Sequence, residues 1–354
     1  MQLGIIGLPM VGKTTIFELL TEGRHKGGVP NKANSAMARI PDYRIDYLSE
    51  LYKPKKTTYA QLEVVDIPGL APGNEKGASV FLDSVRQADA LLHVVRVFAD
   101  GQVPLVGDKI DPIGDIELIN YELLLADLDL IDKRVERINA GKRKAQAEKE
   151  LNLLERLREA IESQQPISNI ELDEEEQAIM KTYQFLTSKP MLICLNLSEN
   201  DLLSGQYPDR LQVEEYSRQY GIPVVALSAS IERDITELDE DERDLFIEEA
   251  GIDEPGLVKV SRSMYERLGL ISFFTVGEDE VKAWTIEKGT PARRAAGKIH
   301  SDIERGFIRA EVVEFQALQE HGSMASVKEH GLFRLEGKEY IVKDGDIVHF
   351  RFNV

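Results

Sequence analysis

The sequence predicts an α/β protein: a doubly wound parallel sheet interrupted by an antiparallel helical hairpin and followed by a smaller β-rich domain. Three observations predict it. Apolar strand-like runs alternate with helical segments up to residue 115. The apolar residues then take helical spacing: Leu124, Leu128, Ile131, Val135 and Ile138 fall on one face, Ala140-Gly141 breaks the run, and Ala147, Leu151, Leu154 and Ile161 resume it. Two helices joined by a short turn make an antiparallel pair. From residue 272 onward, short β-type runs dominate: Ile271–Phe274, Val281–Ile286, Phe307–Val313 and Ile347–Phe352, with a helical segment at Arg293–His300. The expected division is residues 1–115 and 186–271 for the sheet domain, 116–185 for the hairpin and 272–354 for the last domain.

The bulk numbers set limits. A chain of 354 residues has room for two or three domains, and 42% hydrophobic with 30% charged residues is an ordinary globular balance. No apolar run approaches the roughly 20 residues that span a bilayer, and the start has no basic–apolar signal pattern. Cys194 is the single cysteine, so no internal disulfide forms, and a reducing cytoplasm is the expected location. The net charge of −19 opposes non-specific binding to nucleic-acid backbones. The charge is uneven: residues 272–354 hold 12 basic and 14 acidic residues, net −2, which leaves −17 for the first 271. No cysteine–histidine cluster suggests zinc. The acidic stretch Asp239–Glu242 reads as a helix start, where negative charge suits the dipole.

The first element carries chemistry. Leu3–Ile6 is strand-like, Gly7-Leu8-Pro9-Met10-Val11-Gly12-Lys13-Thr14 matches G-x-x-x-x-G-K-S/T, and Thr15–Leu20 begins a helix. That order is the context the motif requires. Glycines let the loop curl, and its N–H groups point inward at a helix N-terminus that favours anions. Lys13 would reach the β- and γ-phosphates of a nucleotide, and the Thr14 hydroxyl would ligate Mg²⁺; Pro9, Met10, Val11, Gly12 and Thr15 complete the cradle. A second phosphate-end element follows in Leu62–Val65, Asp66, Ile67, Pro68 and Gly69, the D-x-x-G pattern of GTPases. Asp66 would hold Mg²⁺ through water, and Gly69 would offer its N–H to the γ-phosphate.

The base-recognition end is unusual. Met191–Leu195 is an apolar strand suited to a buried parallel sheet, and it runs into Asn196-Leu197-Ser198-Glu199 where GTPases carry N-K-x-D. The longer Glu199 misplaces the carboxylate that would bond guanine N1–H and its 2-amino group. Adenine offers a 6-amino donor and an N1 acceptor, which a backbone pair such as that of Leu197 would match. Pro223–Leu227 forms a further strand ending in Ser228-Ala229, where GTPases carry S-A-K.

These residues resemble the YchF family, Obg-related P-loop ATPases of the GTPase fold. The likeness spans nearly the whole chain: GLPMVGKTT, LYKPKKT, DIPGL, ADALLHVVRVF, DIELINYELLLADL, NLSEND, ITELDEDERDLFIEEAGI, FTVGEDEVKAWTI and GKEYIVKDGDIVHFRFNV. The resemblance implies a GTPase-like domain, an inserted helical hairpin and a C-terminal TGS domain of β-grasp type. It implies ATP preferred over GTP, Mg²⁺, slow hydrolysis and association with ribosomes or ribosomal RNA through the hairpin and TGS domain, with a monomer expected. The charged face of the hairpin reads as a solvated helix surface, with a docking surface for ribosomal RNA or protein centred on Lys142, Arg143 and Lys144 as the alternative. Leu70 stands where Ras-type GTPases have a catalytic glutamine.

Several positions depart from the family. Met10 replaces an asparagine. Pro30 falls where a threonine would close over Mg²⁺, so the nearest hydroxyl is Ser35. The stretch after DIPGL is shorter, and a family histidine is replaced by Leu105. His300 lies in a family pattern and reads as structural rather than catalytic. The main expectation is a Mg²⁺-dependent nucleotide hydrolase acting as a switch, with Lys13 and Gly69 as its catalytic groups. Two alternatives remain open: a nucleotide-gated ribosome-binding module with vestigial hydrolysis, and a true GTPase.

Overall fold

The computed structural model describes residues 1–23, 33–71, 73, 75–141 and 147–353. Pro30 and the Lys142–Lys144 cluster lie outside the described residues. The described residues hold twelve strands in chain order: β1 Gln2–Ile6, β2 Asn34–Arg39, β3 Lys56–Thr58, β4 Gln61–Asp66, β5 Ala90–Arg96, β6 Met191–Asn196, β7 Val224–Leu227, β8 Leu270–Thr275, β9 Glu280–Glu287, β10 Phe307–Glu314, β11 Arg334–Glu336 and β12 Asp346–Phe352. They form two six-stranded sheets, β2-β4-β1-β5-β6-β7 and β11-β10-β12-β8-β9-β3.

The first sheet belongs to a compact unit of residues 1–38 and 63–260. β1 pairs in parallel with β4 on one side and β5 on the other, and β6 and β7 continue in parallel. Every residue of β5 and β6 is buried, as expected of strands covered on both faces. β1 is where the strand order reverses, so the crevice beyond its carboxyl end is the expected ligand position of such a sheet. The loop Gly7–Gly12 leaves β1 at that end.

The helical insert extends from this unit. The helix Pro112–Ala140 starts with Pro112 in its first turn and with Asp111 capping Gly114 N–H. Its partner, Glu148–Glu162, packs Leu153, Leu154, Leu157 and Ile161 against Leu124, Ile131 and Ile138. Arg134 bonds Glu150 at 2.8 Å and Arg158 lies 3.4 Å from Asp132, so one partner number rises as the other falls. The pair is antiparallel, as the spacing predicts. Asp127 fastens the insert: its fully buried carboxylate accepts hydrogen bonds from Leu186 N–H, Thr187 N–H and the Thr187 hydroxyl, each at 2.8 Å.

The second unit comprises residues 39–62 and 261–354. Its sheet has the β-grasp arrangement: β8 and β9 form an antiparallel hairpin, β12 joins β8 in parallel, and β10 and β11 add antiparallel strands. The helix Ala292–Ile299 lays Ala292, Ala295 and Ala296 on Phe273, Ile286, Val312, Val348 and Phe350. Small residues on the helix let it approach the sheet closely. The segment 39–62, placed by the sequence division within residues 1–115, packs here instead. β3 pairs in parallel with β9, and Tyr43 and Tyr47 of the helix Tyr43–Tyr52 meet Phe315 edge-on at 5.7 and 5.5 Å. Arg44 bridges Asp42 at 2.8 Å and Asp344 at 2.7 Å, and Asp344 also accepts Ser272 N–H. His300 is an exposed cap whose Nδ1 accepts Asp302 N–H at 3.1 Å, a structural role. Asp239 caps the helix Glu240–Glu249 through Glu242 N–H, as the acidic stretch predicts.

Candidate functional site

Gly7 takes φ 145° and Gly12 φ 97°, conformations that L side chains rarely adopt. Close approach also demands glycine at both positions. A side chain on Gly7 would lie 2.3 Å from the Val94 carbonyl oxygen, and one on Gly12 would lie 2.4 Å from Asn196 Nδ2. Met10 has φ 61° and a side chain that is 59% exposed. The left-handed conformation costs a bulky L residue about 1–2 kcal/mol, whereas asparagine relieves part of that by local hydrogen bonding. The departure at Met10 therefore keeps the backbone shape at some expense in strain.

Lys13 is the first residue of the helix Lys13–Leu20, and its side chain folds back so that Nζ donates to Leu8 O at 2.7 Å. Thr14 Oγ1 donates to Asp66 Oδ2 at 2.7 Å, joining the loop to the end of β4. Gly69 lies against the loop: a Cβ there would be 2.9 Å from both Lys13 Nζ and Pro9 N. Leu70 N–H donates to Gly7 O at 3.3 Å, and the Leu70 side chain is 3% exposed. Lys13, Thr14, Asp66 and Gly69 are thus gathered at the carboxyl ends of β1 and β4. Thr15 is half-buried one residue further along the helix. Ser35 sits exposed in β2.

Burial pushes the Lys13 ammonium down to about 8, an effect partly opposed by Asp66. Burial also raises the Asp66 carboxyl above its ordinary range, against the lowering effects of Thr14 and Lys13. A polyphosphate bonded to this ammonium would stabilise its charge, so above pH 8 the free protein would take up a proton on binding one. Apparent affinity should fall by about tenfold per pH unit above 8, because one proton is linked to binding. Calorimetry at pH 8.5 in buffers of different ionisation enthalpy should show most of one proton taken up, and almost none at pH 7.

Among the described residues no group of three or more His, Cys, Asp or Glu is poised to hold a metal. Magnesium that arrives with a nucleotide needs only one or two protein oxygens beside phosphates and water. The Thr14 hydroxyl and Asp66 carboxylate are hard oxygen donors already within 2.7 Å of each other, so these residues fit that ion.

The other end of the site is tied to the loop by Asn196. Its Nδ2 donates to Val11 O and its Oδ1 accepts Ala229 N–H, both at 3.1 Å. Asn196, Leu197, Ser228 and Ala229 are all buried, and Glu199 is exposed in the first turn of the helix Glu199–Ser204. Leu197 N–H donates to Leu227 O at 2.8 Å. This corrects the expectation that the whole Leu197 peptide pairs with adenine: the N–H half is engaged in joining β6 to β7.

Two residues escape a motif search. Arg96 ends β5, and its guanidinium donates to the carbonyls of Phe98, Val103 and Pro104, shaping the loop beside Pro9 and Val11. An arginine closing a strand that is apolar but for His93 is the signal that marks it. Leu105, at the family's histidine position, is partly exposed in this loop. His93 is buried in the middle of β5, and its Nε2 has no hydrogen-bond partner among the described residues. Burial, with a smaller effect from the Lys13 charge, pushes its imidazole down to about 3, so it is neutral.

Comparison with known proteins agrees with this geometry. Residues 2–197 match a family described as "50S ribosome-binding GTPase", and residues 270–353 match the YchF-GTPase C-terminal family, described as "Protein of unknown function (DUF933)". The ribosome-binding ATPase YchF of Bacillus subtilis is 44% identical over 99% of both chains, and that of Haemophilus influenzae is 41% identical over 99% of both. The solved structure of the Schizosaccharomyces pombe YchF GTPase aligns with a TM-score of 0.87 at 32% identity, covering 99% of this chain and 97% of that one. With the P-loop sheet, the helical insert and the β-grasp unit all in place, the chain belongs to the YchF family.

Proposed function

We propose that the chain is a Mg²⁺-dependent purine-nucleotide switch that binds ATP in preference to GTP, hydrolyses it slowly and couples its nucleotide state to ribosome association. The observation that carries the reading is the convergence of Lys13, Thr14, Asp66 and Gly69 at one end and Asn196 at the other, on a single loop. Phosphoryl transfer needs mainly positioning and charge neutralisation. Lys13 would leave Leu8 O to bond the β- and γ-phosphates. Loop N–H groups and Gly69 N–H would hold the phosphate oxygens. Thr14 and Asp66 would hold Mg²⁺, which neutralises phosphate charge when bound. The Leu70 side chain has no polar atom with which to orient water, which accounts for slow turnover.

Adenine preference is supported by the base end. With its N–H bonded to Leu227 O, Leu197 would meet the base through its carbonyl, an acceptor that suits adenine's 6-amino group and repels guanine O6. Glu199, one methylene longer than the aspartate of GTPases, cannot make the paired guanine contact in the same place.

The ribosome is proposed as partner because the relatives that match over the full chain are named ribosome-binding. A second reading, a nucleotide-gated module with vestigial hydrolysis, is favoured by the buried, apolar Leu70. Co-sedimentation with ribosomes in ATP, ADP and no nucleotide tests the coupling. The switch predicts pelleted fractions that differ at least severalfold between ATP and ADP; equal fractions in all three conditions would contradict it.

A further inference from the structure

We infer that the open edge of β12 accepts an extended acidic peptide from a partner protein, which adds a strand to the sheet of the second unit and seats one large apolar side chain in the cavity beside it. The inference is independent of the nucleotide site. β12 pairs with β10 along its whole length, from Asp346 opposite Glu314 to Phe352 opposite Phe307. On its other side it pairs with β8 at one position, Ile347 opposite Phe274. β8 ends at Thr275 and the chain turns back into β9 at Glu280. Val348 to Phe352 therefore have no strand beside them on that side among the described residues. This free edge spans about 16 Å, enough to pair with a short strand.

A cavity of about 210 Å³ lies along this edge, with Ile303, Met324, Phe333, Ile347 and Phe350 among its apolar walls. Ile303 and Phe350 belong to the core under the helix Ala292–Ile299, whereas Ile347 faces the other way by strand alternation. One cavity reaches both faces of a sheet only where no further strand separates them. Its volume suits a single leucine- or phenylalanine-sized side chain, since a cavity of about 150 Å³ already holds benzene. The charge beside it fixes the rest of the peptide. Arg351 and His349 stand exposed on the face to which Ile347 points, with the exposed Arg309 directly opposite Arg351 and Glu311 opposite His349. Glu311 has a side chain only 13% exposed and is bonded by both Arg351 and His349. Arg309 has no ion-pair partner among the described residues. Like charges directly opposite each other weaken a sheet, and an incoming carboxylate relieves that repulsion. In a chain of net charge −19 this strip is basic, so it selects an acidic partner. Side chains of a paired strand alternate, so the residue in the cavity and the acid that meets Arg351 stand two or four places apart.

Selection of a random library of peptides of about ten residues on the immobilised full chain, followed by hydrogen exchange on the complexes, tests the acceptor. The expected peptides carry Leu, Ile or Phe with Asp or Glu two or four places away. Their complexes should protect the amides of Val348–Phe352 and leave those of β11, at the far edge of the same sheet, unchanged. Alanine in place of the large apolar residue of the peptide should weaken binding by about tenfold or more. Arg351→Gln should weaken it by about three- to tenfold while leaving the thermal stability of this exposed position unchanged. No enrichment over a blank support, or enriched peptides that protect other amides, would overturn the acceptor. So would tighter binding of a short oligoribonucleotide at the same edge, which would make the strip a nucleic-acid surface. Concentration-dependent dimerisation that protects β12 in the protein alone would also overturn it, by making a second copy the occupant.

Discussion

Replacing Lys13 with methionine should abolish measurable nucleotide binding while leaving the fold as stable as before, or more so. Lys13 is 8% exposed, and burial lowers its ammonium from the ordinary lysine value to about 8. The sign follows from linkage. Below pH 8 both states hold the proton, and the buried charge costs the fold in full. Between pH 8 and the ordinary lysine value the unfolded state holds more protons, so stability rises with pH as the cost is relieved. A shift of that size corresponds to about 3 kcal/mol. Against it stands the hydrogen bond to Leu8 O, worth about 1 kcal/mol. Methionine keeps the apolar stem and removes the charge, so chemical denaturation at pH 7 should show Lys13→Met equal to the parent or more stable by about 1–2 kcal/mol. Nucleotide affinity should fall by about a hundred- to a thousandfold, the loss of charge-assisted bonds to two phosphates. A variant that unfolds, or that binds as well as the parent, would mean that Lys13 is structural.

Asn196→Ala should do the reverse and damage the fold first. The Asn196 side chain is 4% exposed and makes two hydrogen bonds, one to Val11 O and one from Ala229 N–H. Alanine leaves both backbone groups without that partner in a buried place, at about 1–3 kcal/mol each, so a loss of about 2–6 kcal/mol is expected in denaturant titration. Asn196→Asp should be no better, because a carboxylate facing Val11 O replaces a donor with an acceptor. Nucleotide binding should weaken in both variants, because Val11 and Ala229 lose their common anchor. A stability change under 0.5 kcal/mol would show that the two loops are positioned independently, which is the ordinary range for surface substitutions.

Much of this was readable from residues alone. The strand–loop–helix of Gln2–Leu20 declares itself because glycine dihedrals and phosphate cradling dictate residue types at fixed spacing. The hairpin is readable because one buried face on each of two long helices imposes a regular apolar period. The placement of residues 39–62 was not readable. β3 is only Lys56-Thr57-Thr58, too short and polar for a strand pattern, and its partner Glu280–Lys282 is remote in sequence. Arg44 looks like any helix-surface arginine until Asp344 arrives beside it. At the base end the motif located Asn196 and Leu197 but could not say that Leu197 N–H already belongs to Leu227 O. Hydrogen bonds between sequence-distant backbones leave no trace in residue type. The closeness of Gly69 to Lys13 was also hidden, because the same glycine serves an open or a closed loop.

The most direct test of the central claim is calorimetric titration of ATP and of GTP, each with Mg²⁺, into the unaltered protein at pH 7. Both nucleotides should bind at one site, ATP at least severalfold more tightly, because the Leu197 carbonyl and the displaced Glu199 carboxylate suit adenine and fail guanine. Tighter binding of GTP would contradict it and make this chain a GTPase in which Glu199 still serves the base.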